Sequence, residues 1–234
     1  MKIKETFLEG KTKKLYTTDD PEQLIMEFLD VLPQSVSTKG EKVKGKGAIN
    51  AEITAYLFQY LTSYNVPTHF VRKLDEKSIL VRKASMFNLK MVIWNYASGT
   101  LSKRLGLKDG TQLETPVLEL YLKNAKLKYP LINDYHAYAL GLCERNDMNL
   151  MIRIGTKVNA VLKSFFLRKQ MTLAHFTMEF GKVGNQVVLA DEISPDTFTL
   201  WENKPDGTLD RKAFELTAAT AKTVYPALKE RLIG

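Results

Sequence analysis

Three short stretches carry residue types able to handle a polyphosphate and a divalent cation. In NQVVLADEISPDT an apolar run, Val187 to Ala190, ends in two adjacent carboxylates, Asp191 and Glu192, with a third acid, Asp196, soon after. In TMEFG, Glu179 lies on the preceding apolar segment, and KVGN between the two reads as a turn. Folded as a hairpin, Glu179 and Asp191 come onto neighbouring strands, where like charges repel. Mg²⁺ relieves such repulsion, because it takes one or two protein carboxylates and fills its other positions with water and phosphate oxygens. The competing reading is one exposed acid and one turn cap. In EGKTKKLY, Lys11 and Lys13 alternate after Gly10, so a strand there points both ammonium groups to one face. Two such groups behind a glycine-led turn can hold a triphosphate, although the P-loop spacing is absent.

The rest of the chain has to position these groups. Its 234 residues suffice for one large domain or two lobes sharing a core. Net charge is +8, from 34 basic and 26 acidic residues, which suggests an anionic partner. Two basic clusters stand out: Lys39 to Lys46, and an acid-free run from Met151 to Met178. Solvated surface explains most of these side chains. Without a zinc spacing, an arginine-rich tail or an aromatic RNA-binding motif, nucleic acid is a minority reading. No apolar run approaches the roughly 20 residues of a membrane helix, and MKIKETFLEGKTKKLY lacks an apolar signal core. One cysteine, Cys143, cannot form an internal disulfide, so a reducing cytoplasm is expected. Its apolar setting argues against a nucleophile.

KIKETFLEGKTKKLYTTDD reads as a hairpin, and PEQLIMEFLD as either strand or helix. GKGAINAEITAYLFQYLTSYNVP has helical spacing and a closing proline. THFVRKL, SILVRKA and LKMVIWNYA read as strands, LSKRLG as a short helical turn, and Leu118 to Leu122 as a strand. NDYHAYALGL is helical, MNLMIRIGTKVNAVLKSFFLRKQM is a long amphipathic helix, and LAHFTMEFG and NQVVLADEI are strands. The tail from about Arg211 is expected to be helical with a break near Pro226. Grouped strands and helices indicate α+β with largely antiparallel sheets. The seam between a smaller N-terminal lobe, 1–86, and a larger C-terminal one, 87–234, is placed near Met86 to Asn88.

EGKTKKLY, GKGAIN, NYASGTLSKRLG, TKVN, MEFG and LADEISPDT followed by LW occur in the order and at the intervals of the SAICAR synthetase family, which this chain resembles from about residue 8 to 202. The resemblance implies a two-lobed, ATP-grasp-related α+β fold with an ATP cleft between lobes. It also implies an ATP- and Mg²⁺-dependent ligase that joins a carboxylate to an amine through an acyl phosphate, in purine biosynthesis. Lys11 and Lys13, with Gly10, match phosphate-binding positions, and Glu179 and Asp191 match metal positions. Lys11, Lys13 and Asp191 are thereby the implied catalytic residues, and Met86 an adenine-pocket residue. The partners implied are small-molecule carboxylate and amine substrates, and a homo-oligomer stays open.

The implied substrate half is Lys90, Trp94, Asn95, Ser98, Gly99, Thr100, Arg104, Lys123, His175, Asp196 and Thr199. Several of these depart from the family pattern. Trp94 and Thr199 stand where it has arginines. His175-Phe176-Thr177 replaces Asp-Phe-Lys, Tyr129 an aspartate, and Lys90 a glutamate; VLPQSVSTKG replaces the loop after Asp30. An arginine holding an anion is worth about 1.5–3 kcal/mol, so a repurposed ligase or phosphotransferase with a less anionic substrate is an alternative expectation. A basic nucleic-acid-binding protein on a retired scaffold is a further one. His175 is expected to be a hydrogen-bonded strand histidine before a base.

Overall fold

The computed structural model describes residues 3–234; Lys2, at the head of the expected hairpin, lies outside them. Alternation and short polar turns generate the first sheet. β1 (Thr6–Glu9) and β2 (Lys13–Thr17) form the hairpin, closed by the Gly10 N–H donating to the Lys13 carbonyl at 2.9 Å. β3 (Gln23–Phe28) settles the ambiguous segment as a strand. It is central, so Leu24, Ile25, Met26 and Phe28 are all buried and the usual alternation disappears. β4 (Phe70–Lys73) and β5 (Ser78–Arg82) complete an antiparallel sheet of order β1-β2-β3-β5-β4.

Lys83 and Ala84 lead directly into β6 (Ser85–Ala97), which runs on through Asn88. A register shift against its neighbour between Met86 and Lys90 absorbs the break in the apolar pattern there. The second sheet pairs β6 with β7 (Thr111–Leu122) on one side and β9 (Met171–Val183) on the other. β8 (Leu131–Ile132) borders β7, and β11 (Phe198–Asn203) and β12 (Leu209–Asp210) extend the far edge. β10 (Gln186–Ala190) pairs with β9 beyond the end of β11.

The two faces of this sheet have different fates. Met91, Ile93, Phe176 and Met178 point into the main core and meet α4 (Arg145–Arg168), whose Met148, Met151, Ile154, Val158, Leu162 and Phe165 recur at helical spacing. Gly155 lets the helix come close: a Cβ there would stand 2.9 Å from the Met91 sulfur. α1 (Lys46–Ser63) lies between the sheets. Its Ala51 and Ala55 cover the first, while Ile53, Leu57 and Leu61 enter the main core. Each fully buried Leu or Ile contributes about 1.5–3 kcal/mol, so α1 joins the two sheets firmly.

The tail departs from expectation. Residues 211–220 are turns and irregular chain, and α5 starts only at Ala221 (Ala221–Ile233). Pro226 sits inside α5 and does not break it. It removes the bond to the Lys222 carbonyl, but both residues lie on the exposed side, where water can serve that oxygen.

Candidate active site

The site arises where β9 changes partners. Along one edge, β9 pairs with β11 up to Phe176 (opposite Phe198) and with β10 from Glu179 (opposite Ala190). Between those pairings the chain must leave the sheet, and that excursion is Asp191 to Thr197. Asp191 makes the exit in the left-handed conformation, φ 60°, which is uncommon for a residue with a Cβ. Glu179, Thr177 and His175 alternate along β9 and share the face opposite the core. They stand in register with Lys90, Val92 and Trp94 on β6.

At the Glu179 end, charges crowd together. The Lys13 ammonium reaches over from β2 and binds Asp191 Oδ1 and, at 2.7 Å, Glu192 Oε1. Lys123 donates to Glu179 Oε2 at 2.5 Å, and the Lys90 ammonium lies 3.8 Å from Oε1. Burial raises the Glu179 pKa, and the Asp191 charge raises it further, against the pull of Lys123. Burial acts in the same direction on Asp191, but the Lys13 charge and hydrogen bond outweigh it and the pKa falls. For Lys13, burial lowers the pKa, and the charges of Asp191 and Glu192 more than reverse it. The result is a buried, mutually repelling acid pair quieted by side-chain cations. Lys11 lies in the turn before β2, not on its face, and is exposed with no hydrogen-bond or ion-pair partner among the described residues.

At the His175 end lies a cavity of about 1190 Å³. Its wall includes Ser98, His175, Thr177 and Thr199, and its rim Lys103, Arg211 and Lys212. His175 Nδ1 is 3.2 Å from the Ser98 hydroxyl and Nε2 is 3.3 Å from that of Thr199. Burial drops the His175 pKa to about 4, so the ring is neutral near pH 7. It stacks on Trp94 with centroids 4.2 Å apart. Arg211 is paired with Asp109 at 2.5 Å, whereas the Lys103 and Lys212 ammonium groups have no partner among the described residues. Asp196 joins the two ends. It lines the cavity, pairs with the buried Lys46, and accepts from Tyr225 OH at 2.5 Å. Ser194 donates its hydroxyl to Glu192 and accepts from the Asp196 N–H.

The model of the SAICAR synthetase family matches residues 6–230. The chain belongs to the SAICAR synthetase family. It is 39% identical, over the full length of both chains, to the phosphoribosylaminoimidazole-succinocarboxamide synthase of Thermoanaerobacter sp.. It is 40% identical to that of Nautilia profundicola over 96% of each chain. Among solved structures, a SAICAR synthetase in complex with ADP superposes with a TM-score of 0.88 at 36% identity, covering 98% of both chains. The SAICAR synthetase of Pyrococcus horikoshii gives 0.85 at 37% identity, covering 94% of this chain and 96% of that one. The family's members are ATP-dependent ligases that form carbon–nitrogen bonds.

Within this SAICAR synthetase fold, the sequence-based candidates fall into three groups. Lys13, Lys90, Lys123, Glu179 and Asp191 gather in the charged cluster. Ser98, Gly99, His175, Asp196 and Thr199 line the cavity. The remainder lie elsewhere. Asn95 follows Trp94 on β6 and so faces the core, where its amide pairs reciprocally with Asn159 at 2.9 Å. Arg104 is turned to Glu119, which also receives Trp94 Nε1 at 2.9 Å and Tyr121 OH at 2.6 Å. Thr100 is exposed on α2 (Gly99–Leu105), outside the cavity lining, and Met86 is exposed beside Gly181. Tyr129 lies under the Lys90 ammonium, 5.0 Å from its ring centroid. Cys143 is half-buried against the core, and burial raises its thiol pKa. Glu192, Lys46 and Tyr225 were not assigned to the site from the sequence because their partners Lys13 and Asp196 are far away in the chain. Glu192 alone had a local signal, its adjacency to Asp191.

Proposed function

We propose that the protein is an ATP- and Mg²⁺-dependent carboxylate–amine ligase that forms an amide through an acyl phosphate, joining carboxyaminoimidazole ribonucleotide to L-aspartate in purine biosynthesis. The observation that carries this reading is the continuity along one face of β9 from the Glu179–Asp191–Lys13 cluster to the cavity at His175. Residues 1–86 supply a nucleotide-binding lobe and 87–234 the metal and substrate lobe, with α1 spanning both.

Glu179 and Asp191 would hold Mg²⁺. Two hard oxygen donors whose repulsion is now offset by lysines suit an ion that takes one or two carboxylates. Bound there, Mg²⁺ would neutralise charge on the transferring phosphoryl group. Lys13, paired with Asp191 and Glu192, would exchange them for phosphate oxygens. Lys11, exposed at the β1–β2 turn, would meet the outer phosphates. Met86 would border the adenine. Lys123 and Lys90 would neutralise the carboxylate to be activated. On the other side, His175, Ser98 and Thr199 would orient the second substrate as neutral hydrogen-bonding groups, with the Lys103 and Lys212 ammonium groups at the rim for an anionic tail. Calorimetry tests the core of this reading. Mg²⁺ should tighten ADP binding to the wild type but not to Asp191→Asn, and equal tightening in both would sink the assignment.

The uncharged cavity wall at His175 and Thr199, with Trp94 stacked behind the histidine, favours a second reading of the substrate, in which a carboxylate with less negative charge fits better than the ribonucleotide. A specificity constant for the ribonucleotide near or above about 10⁴ M⁻¹s⁻¹, ordinary for a dedicated enzyme, decides against that second reading.

A further inference from the structure

His69 has no role in the chemistry above, yet it is buried against an acid that does. It follows the parallel bridge between Thr68 and Leu189. Its N–H donates to the Leu189 carbonyl at 2.9 Å, and its own carbonyl accepts from the Arg82 N–H at 2.7 Å. The backbone of one residue thus ties the end of β5, in the first sheet, to β10, in the second. The side chain is 4% exposed and stands edge-on to Phe58, with centroids 5.5 Å apart. Burial lowers its pKa to about 4, so the ring is neutral near pH 7. Its Nε2 lies 3.1 Å from the Asp191 carbonyl oxygen. A carbonyl can only accept, so Nε2 carries the proton and the ring is a donor.

Asp191 needs such a restraint. Its left-handed backbone disfavours a residue with a Cβ. That same turn takes its carboxylate out of the strand ladder to Lys13 and towards Glu179. A strained conformation persists only where its surroundings over-determine it. The opposite side of Asp191 is held by a flexible lysine, which has to leave when phosphates arrive. The imidazole is enclosed, and its bond goes to the Asp191 backbone and not to the carboxylate that Lys13 holds.

We propose that His69 is a positioning residue for the cation site: its Nε2–H clamps the Asp191 carbonyl so that the left-handed turn, and the carboxylate it aims, stay fixed when Lys13 lets go. This rests on reading Asp191 as a metal ligand.

The test is calorimetric titration of Mg²⁺ into protein saturated with ADP, alongside ADP titration in EDTA. His69→Leu keeps the apolar bulk and removes the donor. His69→Gln places an amide N–H at similar reach. Groups that orient a metal ligand typically carry about 10- to 100-fold of metal affinity. His69→Leu should therefore weaken Mg²⁺ at least tenfold, with ADP affinity in EDTA unchanged, and His69→Gln should stay near the wild type. A Leu variant with wild-type Mg²⁺ affinity overturns the proposal, as does a Gln variant that loses as much as Leu. If Leu does not fold, His69→Asn, whose amide is too short, takes its place under the same criteria. A wild type whose ADP binding ignores Mg²⁺ overturns the metal reading of Asp191 itself; an intact wild type with an indifferent Leu variant overturns the role of His69 alone.

Discussion

Lys11 and Lys13 are two residues apart and have different physical lives. Lys11 is exposed and has no partner among the described residues, so Lys11→Ala should leave the melting temperature unchanged. It should also weaken ATP far more than adenosine, by about ten- to a hundredfold if one charged hydrogen bond of about 1.5–3 kcal/mol is lost. Equal weakening of both ligands would contradict a phosphate role. Lys13→Ala should do the same to ATP and also destabilise the fold, because it strands the buried carboxylate of Glu192 and the half-buried one of Asp191. His175 supplies a pH signature. Its folded pKa, about 4, lies below the usual 6.5, so its neutral form adds stability above pH 6.5 that is lost as pH falls towards 4. The raised Glu179 and Glu192 act in the opposite direction, so a difference measurement is needed. Urea denaturation should show the wild type losing stability faster than His175→Gln across that window, by at most about 1.4 kcal/mol per pH unit; matching slopes would contradict a neutral His175. At this scale the closeness of Glu179 and Asp191 was legible from the hairpin, but its geometry was not: Glu179 stands opposite Ala190, and Asp191 comes to it through a left-handed exit from the strand and not by alternation. The joint placement of Lys11 and Lys13 was not legible, because the β1–β2 turn takes up Lys11 and Thr12 and the strand begins only at Lys13. The targets of Asn95 and Arg104 were equally hidden, since facing depends on which side of the sheet the helix covers.

Helices with regular apolar spacing were legible as elements, and α1 and α4 lie where the pattern puts them. The tail was not. Irregular chain from 211 to 220 has no period to read, yet it closes the cavity with Arg211, Lys212 and Phe214. Likewise β11 is short, and its LW pair looks like any apolar dipeptide until β9 supplies an edge. The late start of α5 matters because it brings Tyr225 to Asp196. Burial and the Asp196 charge both raise the tyrosine pKa, so it is a donor at any working pH. Tyr225→Phe should cost about 1–3 kcal/mol, the penalty for a buried carboxylate that loses a donor. Chemical denaturation measures it, and a change within 0.5 kcal/mol, roughly the surface range, would mean that Lys46 alone satisfies Asp196. For α4 the critical feature is its close approach. Gly155→Val would push into the Met91 sulfur and the Met178 methyl, at 2.9 and 3.1 Å from a Cβ. Overpacking of that kind costs about 1–3 kcal/mol, and an unchanged unfolding midpoint would show that the helix can shift at no cost.

Across the whole molecule, the net charge of +8 suits a protein whose ligands carry phosphates and carboxylates. The fold class was legible from how strands and helices group along the chain, and the family from the order of its motifs. What the sequence could not display is that one face of one sheet runs from the acid cluster to the cavity, with β2 reaching over to supply Lys13. That continuity is the basis for reading phosphoryl transfer and amide formation as one site. The most direct test supplies ATP, Mg²⁺, carboxyaminoimidazole ribonucleotide and L-aspartate, and measures ADP and amide together. The account predicts equal amounts of both, and no ADP when aspartate, the ribonucleotide or Mg²⁺ is withheld. ADP released at an undiminished rate without the amine, or an absence of turnover in the complete mixture, would contradict it.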